Sequence, residues 1–309
     1  MHGKDLLSIG QMSVEEFESV LELALKVKSN PDDYEDALPQ MTMAMIFEKP
    51  SLRTRVSFEA GMTQLGGHAI YLGPNDISLG KRESVPDIAR TLDGMVDIIM
   101  ARVFQNESVL TLAEYASVPV INGLCNLHHP CQALADFQTI LEKKGSLKGL
   151  KLAFLGDGNN VAHSLLEAGA KSGTSVTIVC PPGYEPNKEI FEQAEAEGAK
   201  TGAKMLVTND VKEGVKGVDA IYTDVWASMG QEKEAEERKK IFAPYQVNSE
   251  VMKMADKEAI FMHCLPAHRG EEVTDEVVES WQSVVFEEAE NRMHAEKAVI
   301  LKLMIKDID

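Results

Sequence analysis

Short apolar runs alternate along most of this chain with longer stretches in which apolar side chains recur every three or four positions. An apolar run of four to six residues between polar or glycine-containing segments predicts a strand buried on both faces. Such runs occur at residues 42–47, 68–72, 96–101 and 118–121, then at 151–155, 175–179, 220–223 and 260–263. The amphipathic stretches between them, for example 130–142 and 161–171, predict helices. Strands interleaved with helices build parallel sheets, so the expected fold class is α/β.

The pattern also marks ends and boundaries. Ser13, followed three residues later by Glu16 and then by Phe17, Val20, Leu21 and Leu25 on one face, predicts a capped amphipathic helix near the start. The segment 143–149, Lys-Lys-Gly-Ser-Leu-Lys-Gly, interrupts the pattern and suggests a division into two domains. Residues 287–306 carry a long amphipathic helix pattern that need not belong to the second domain. The pattern therefore suggests a first domain ending near residue 145 and a second beginning at 146. The run 231–240 is poor in apolar residues and predicts a solvated helix or loop.

Composition narrows the function classes. With 309 residues, 44% hydrophobic and 26% charged, the chain can bury a sizeable core. Its formal charge of −18 repels nucleic acid and anionic membranes, and neither is expected as a partner. A small anionic substrate stays possible, because a few arginines can make a local positive pocket. The four cysteines, Cys125, Cys131, Cys180 and Cys264, have neither zinc-site spacing nor disulfide density, which points to a reducing cytoplasm. No run of apolar residues is long enough to span a bilayer, and no leader pattern is expected.

Candidate chemistry gathers at the ends of predicted strands. After the first strand come Pro50, Ser51, Leu52, Arg53, Thr54 and Arg55, where Ser51 suits a helix N-cap. Backbone N–H groups, hydroxyls and guanidinium forks at one helix start suit a phosphate. The same residues also fit plain capping, with Arg55 paired to Glu59. Arg102 follows another strand at the end where parallel sheets bind ligands. His129, Pro130, Cys131 and Gln132 open a helix, with His129 and Gln132 one turn apart and able to face a bound carbonyl. Two adjacent histidines without a third nearby ligand make a poor metal site. The turn 156–160, Gly-Asp-Gly-Asn-Asn, looks Rossmann-like but lacks the third glycine of a dinucleotide fingerprint; Asn160 could serve a small substrate instead. Asp224 and Cys264 follow two further strands, and Cys264 is open to reading as a buried apolar cysteine.

Taken in order, Ser51–Arg55 without Leu52, Arg102, His129-Pro130-Cys131-Gln132, Asn160, Asp224 with Ser228-Met229-Gly230, His263-Cys264-Leu265-Pro266 and residues 288–292 resemble the aspartate/ornithine transcarbamylase family along essentially the whole chain. The resemblance implies two domains, each a mainly parallel sheet flanked by helices, the second Rossmann-like: residues 1–145 with a C-terminal helix, 288–309, that packs back on them, and residues 146–287. It implies carbamoyl phosphate bound in the first domain, an amino acid in the second, and a homotrimer or multiple of trimers. The implied reaction carries the carbamoyl group of carbamoyl phosphate to the side-chain amine of L-ornithine, giving citrulline and phosphate without metal or cofactor. Putrescine, or another acceptor of the family, is the alternative substrate, and a nucleotide-binding regulatory protein is the alternative class.

By the same resemblance, carbamoyl phosphate is held by Ser51, Leu52, Arg53, Thr54, Ser78, Arg102, His129, Pro130, Cys131, Gln132, Cys264, Leu265 and Arg292. Ornithine is held by Asn160, Asp224, Ser228 and Met229, and catalysis falls to Arg53, Arg102, His129, Asp224 and Cys264. Two positions depart from the family pattern: Leu52 stands where threonine is usual, and Ser78, with Arg82 nearby, stands where many ornithine enzymes carry glutamine. Ser228-Met229-Gly230 and the charged run after it imply a loop that closes over the amino acid.

Overall fold

The computed structural model describes residues 1–227 and 234–308. The chain divides into two compact units, residues 1–138 with 290–309 and residues 139–289. The division thus falls inside the helix Pro130–Lys144 rather than in the glycine-containing segment after it.

The first unit is built on a four-stranded sheet of β1 (Thr42–Phe47), β2 (His68–Leu72), β3 (Ile98–Arg102) and β4 (Val120–Leu124), in the order β2-β1-β3-β4. Every pairing is parallel. β1, β3 and β4 are buried almost end to end, as covered parallel strands must be. β3 and β4 each begin two residues later than the apolar pattern suggested and run on past it, because the pattern breaks at Arg102 in β3 and at Asn122-Gly123, before Leu124, in β4. Asn122 is tolerated at 0% exposure because its amide donates to the Leu7 carbonyl at 2.8 Å. The helix Val14–Ser29 starts with the expected capping box, Ser13 and Glu16 each accepting from the other's backbone N–H, and its Phe17 meets Phe137 edge-on.

The second unit carries β5 (Lys151–Leu155), β6 (Ser175–Val179), β7 (Met205–Thr208), β8 (Ala220–Thr223) and β9 (Ile260–His263), all parallel, in the order β7-β6-β5-β8-β9. Its core includes Ala153, Leu155, Ile221, Phe261 and Val273. β7 was not expected. It is a four-residue edge strand whose apolar run, Met205-Leu206-Val207, is short, and its Leu206 is 55% exposed. The helix Asn160–Ser172 ends on Gly173 at φ +77°, a left-handed C-cap that glycine adopts without a side-chain clash. The last long helix spans Val285–Met304. Among the described residues, no helix is long and apolar enough to cross a membrane.

Candidate active site

In the first unit, β1 delivers the chain through Pro50 to Ser51, whose hydroxyl caps the helix Leu52–Gln64 by accepting from Thr54 N. The first turn folds Thr54 inward to 1% exposure and leaves Leu52 outward at 75%. Thr54 Oγ1 accepts from the Ser51 hydroxyl at 3.1 Å, from Arg102 Nη1 at 3.4 Å and from Arg292 Nη2 at 3.3 Å. Arg102 arrives because the end of β3 pairs with the end of β1, with Arg102 opposite Phe47. Arg292, on the last long helix, also donates from Nη1 to Gln132 Oε1 at 2.8 Å, and Gln132 Nε2 donates to Asp136 at 2.8 Å.

Two buried guanidinium groups, a hydroxyl pair and a fixed amide therefore meet at one helix start. The N-terminal dipole adds to their positive potential, so the cluster suits an anion. His129 sits at the cap of the helix Pro130–Lys144, its carbonyl accepting from Gln132 N and Ala133 N. Burial, and then the charges of Arg292, Arg102, Arg53 and Lys49, hold its imidazole well below the usual range. It is neutral at neutral pH and can donate a hydrogen bond to a developing oxyanion from one ring nitrogen. Cys131 is buried against the Asn122 carbonyl, and burial pushes its thiol up, which suits packing rather than reaction.

Glu296 was not singled out by its sequence. It lies one turn beyond Arg292, is 0% exposed, and its Oε1 accepts from Arg292 Nη2 at 2.7 Å and Nε at 3.1 Å. Burial lifts this carboxyl to about 7, against the pull of Arg292. Arg55 takes the plain alternative: it pairs with Glu59 at 3.2 Å and stacks over Tyr71. Ser78 adopts a left-handed conformation in a turn, and its hydroxyl bonds locally to the Pro74 carbonyl.

The second unit assembles a different group at the carboxyl ends of β5, β8 and β9. Thr223 pairs with both Leu155 and His263, so the residues that follow these three strands emerge side by side. Asp224 Oδ1 accepts from the Cys264 thiol at 3.1 Å and from Val225 N at 2.8 Å, while Oδ2 accepts from Asn159 Nδ2 at 2.9 Å. Asn159, which the sequence did not single out, is thus bonded to Asp224, and its own oxygen caps the following helix. Asn160 occupies the first helical position. Ser228 and Met229 lie outside the described residues.

Behind this group His263 is locked in place. Its Nδ1 accepts from Leu265 N at 2.8 Å, so the proton is on Nε2, which donates to Glu272 at 3.1 Å. Glu288 then spans the unit's interior, accepting from His263 N at 3.0 Å and from the Tyr222 hydroxyl at 3.1 Å. Donor atoms of Asp224, His263 and Cys264 lie within 4.8 Å of one another. They fit a metal poorly, since both His263 ring nitrogens are already engaged.

Two sequence expectations change here. In the run 231–240, expected to be solvated, Arg238 is 5% exposed, donates to Asp157 and to the Trp226 carbonyl, and lies over the Tyr184 ring. The Rossmann-like turn does not favour a dinucleotide: Gly158 N donates to the Tyr184 carbonyl at 2.8 Å, and a Cβ on Gly158 would stand 2.2 Å from Pro186 N. The close approach that glycine permits here is to the chain's own backbone, where a pyrophosphate would otherwise lie.

These two groups can be set beside known proteins. Residues 4–142 match the aspartate/ornithine carbamoyltransferase carbamoyl-P binding domain, and residues 148–303 match the Asp/Orn binding domain of the same family. The second match runs through the C-terminal helix, most of which packs with the first unit here. An ornithine carbamoyltransferase of Thermococcus kodakarensis is 54% identical over 98% of this chain and 96% of its own. One from Anoxybacillus flavithermus is 51% identical over 98% of each. The solved ornithine carbamoyltransferase of Pyrococcus furiosus superposes with a TM-score of 0.96 at 53% identity, over 99% of both chains. Identity of this order along the full length, in both domains, places the chain in the aspartate/ornithine carbamoyltransferase family.

Proposed function

We propose that this chain transfers the carbamoyl group of carbamoyl phosphate to the side-chain amine of L-ornithine, yielding L-citrulline and phosphate. The observation that carries the anion half is the convergence of Arg102 and Arg292 on the buried Thr54 hydroxyl. Ser51, Leu52, Arg53, Thr54 and Arg102 grip the phosphate, Leu52 through its backbone N–H alone. Thr54, Arg102 and neutral His129 donate toward the carbonyl oxygen as it becomes negative. Gln132 holds the carbamoyl amide, kept in register by Arg292 and Asp136.

The acceptor half rests on Asp224, Cys264 and Asn159. Ornithine's ammonium must lose a proton before it attacks, which costs about 4 kcal/mol at neutral pH for an amine whose pKa is ~10.4. Asp224 orients the amine, and the Cys264 thiol fixes the Asp224 carboxylate. The amine nitrogen then bonds to the carbonyl carbon and the bond to the phosphate oxygen breaks. The nitrogen's surplus proton leaves with phosphate.

Ornithine is favoured over aspartate by charge. The second unit's two arginines, Arg238 and Arg269, are held by Asp157 and by Asp275 with Glu279, whereas aspartate's extra carboxylate calls for a cation. Asn160, Ser228 and Met229 complete the amino-acid site by resemblance. We read the working form as a cytoplasmic homotrimer or multiple of trimers; the exposed Leu52, Val56 and Ile70 give the first unit an apolar surface that suits association.

A citrulline-forming assay offering ornithine, putrescine, N-acetylornithine and aspartate in turn tests the substrate. Ornithine should give the highest kcat/KM. A higher value for putrescine would replace the acceptor while keeping the reaction class, and stabilisation by a nicotinamide dinucleotide but not by carbamoyl phosphate would remove both. Light scattering that returned a monomer would refute the trimer.

A further inference from the structure

Glu296 is an acid inside an anion site. Its Oε1 takes two bonds from Arg292, and the nitrogen that makes the shorter one, Nη2 at 2.7 Å, also reaches Thr54 Oγ1 at 3.3 Å. Thr54 Oγ1 in turn accepts from Arg102. A phosphorylated ligand gripped by Thr54, Arg102 and Arg292 therefore sits one guanidinium away from a carboxylate that has no access to water. Like charges so close together in a buried site disfavour ionisation of the weaker acid.

We propose that Glu296 sets the affinity for the anionic substrate by exchanging charge with it, taking up a proton when carbamoyl phosphate binds and releasing it when the site empties. The proposal rests on the functional reading above. Glu296 then neutralises Arg292 in the empty site, where an isolated buried cation would be destabilising. Once protonated, it leaves the full charge of Arg292 to the ligand.

The surroundings single out this group. Facing Glu296 are Arg292 on its own helix, Ser57 on the helix Leu52–Gln64, Arg102 at the end of β3, and Cys131 on the helix Pro130–Lys144. Arg292 and Arg102 hold the carboxyl down, but burial outweighs them and lifts it to about 7. The Cys131 thiol is pushed up, away from neutrality, and His129 is held well below it. Of Glu296, Cys131 and His129, Glu296 is thus the one poised to titrate where the enzyme works; the other buried carboxyl near Arg292, Asp136, is engaged by the Gln132 amide.

Calorimetry of carbamoyl phosphate binding to the full-length protein, at pH 7.5 in buffers of different ionisation enthalpy, reads the proton count. For an upward shift of at least a unit, wild type should take up about half a proton. Its affinity should be roughly fivefold higher at pH 6.5 than at pH 8.5. Glu296→Gln should show no uptake and an affinity independent of pH over this range, at least as tight as wild type at pH 8.5. Uptake that persists in Glu296→Gln would assign the proton to His129 and overturn the proposal. Should that variant fail to fold, infrared difference spectra of wild type decide: carbamoyl phosphate must produce the carbonyl band of a protonated carboxyl, and its absence overturns the proposal. Wild type that neither binds nor uses carbamoyl phosphate would refute the functional reading itself, whereas binding and turnover without proton uptake would refute only this inference.

Discussion

Replacing Glu288 separates the worth of its charge from the worth of its hydrogen bonds. The side chain is 0% exposed and bonds two buried donors in the second unit, the Tyr222 hydroxyl and the His263 backbone N–H. Glu288→Ala removes both acceptors. A buried donor left without a partner costs about 1–3 kcal/mol, so the two together cost roughly 2–6 kcal/mol before the cavity is counted. In a unit of this size 1 kcal/mol moves Tm by about 2–4 °C, which predicts a fall of roughly 4–24 °C. Glu288→Gln behaves differently. Its amide oxygen can take the His263 N–H while its NH2 donates to the Tyr222 oxygen, so about 1 kcal/mol and 2–4 °C are expected. Because His263 leads directly into Cys264, the alanine variant should also raise the KM for ornithine while leaving the Kd for carbamoyl phosphate within twofold. Differential scanning calorimetry and steady-state kinetics on both variants check this. An alanine variant within 2 °C of wild type, or a glutamine variant as damaged as alanine, would refute the reasoning.

Three other outcomes are expected. His129 is buried neutral, so its stability contribution is complete above its unfolded value near 6.5 and falls by about 1.4 kcal/mol per unit as pH drops below it; Glu296, raised to about 7, loses stability as pH climbs from about 4.5 to 7 with a similar slope. Melting curves against pH for His129→Asn and Glu296→Gln should therefore diverge from wild type in opposite directions between about pH 5 and 6.5, and parallel curves would contradict both assignments. Gly158→Ala should displace the turn bearing Asp157 and Asn159, raising the KM for ornithine at least tenfold with carbamoyl-phosphate binding unchanged, and a normal KM would show that the turn can yield. Leu52→Thr should change carbamoyl-phosphate affinity by no more than one hydrogen bond, about 0.5–1.5 kcal/mol, since this position is assigned a backbone contact; a larger change in the Kd would place the side chain in the site.

The strands that sequence reveals most readily are those covered on both faces. β1, β5, β8 and β9 have the expected bounds because their apolar runs coincide with burial, and β2 and β6 have them too, although β2 is a partly exposed edge strand. β3 and β4 run on through Arg102 and through Asn122-Gly123 to Leu124, where a buried guanidinium and the Leu7 carbonyl replace apolar packing, so their patterns stop short of the structure. β7 escapes because its apolar run, Met205-Leu206-Val207, is only three residues long. The site shows the same division. Arg102, His129, Gln132 and Cys264 sit in short motifs at strand ends, where the sequence draws attention to them. Glu288, Glu296 and Asp136 lie on helices and resemble solvent-facing acids until distant residues close around them; Arg292 meets Thr54 and Gln132 across most of the chain's length. Asn159 was not legible because its two roles, capping the helix Asn160–Ser172 and donating to Asp224, appear only once the turn is folded.

The strand orders β2-β1-β3-β4 and β7-β6-β5-β8-β9 each reverse direction once, between β1 and β3 and between β5 and β8. At such a reversal the two outgoing connections leave toward opposite sides, and a crevice opens beyond the strand ends without any loop having to be carved away. The Ser51 cap and Arg102 border the first crevice, and Asn159 and Asp224 the second. On the proposed function, acceptor preference is written in a few residues just past β5, β8 and β9, outside the strand ladders. An exchange of one amine substrate for another can proceed there by point substitutions while both sheets, and the phosphate grip, keep their stability.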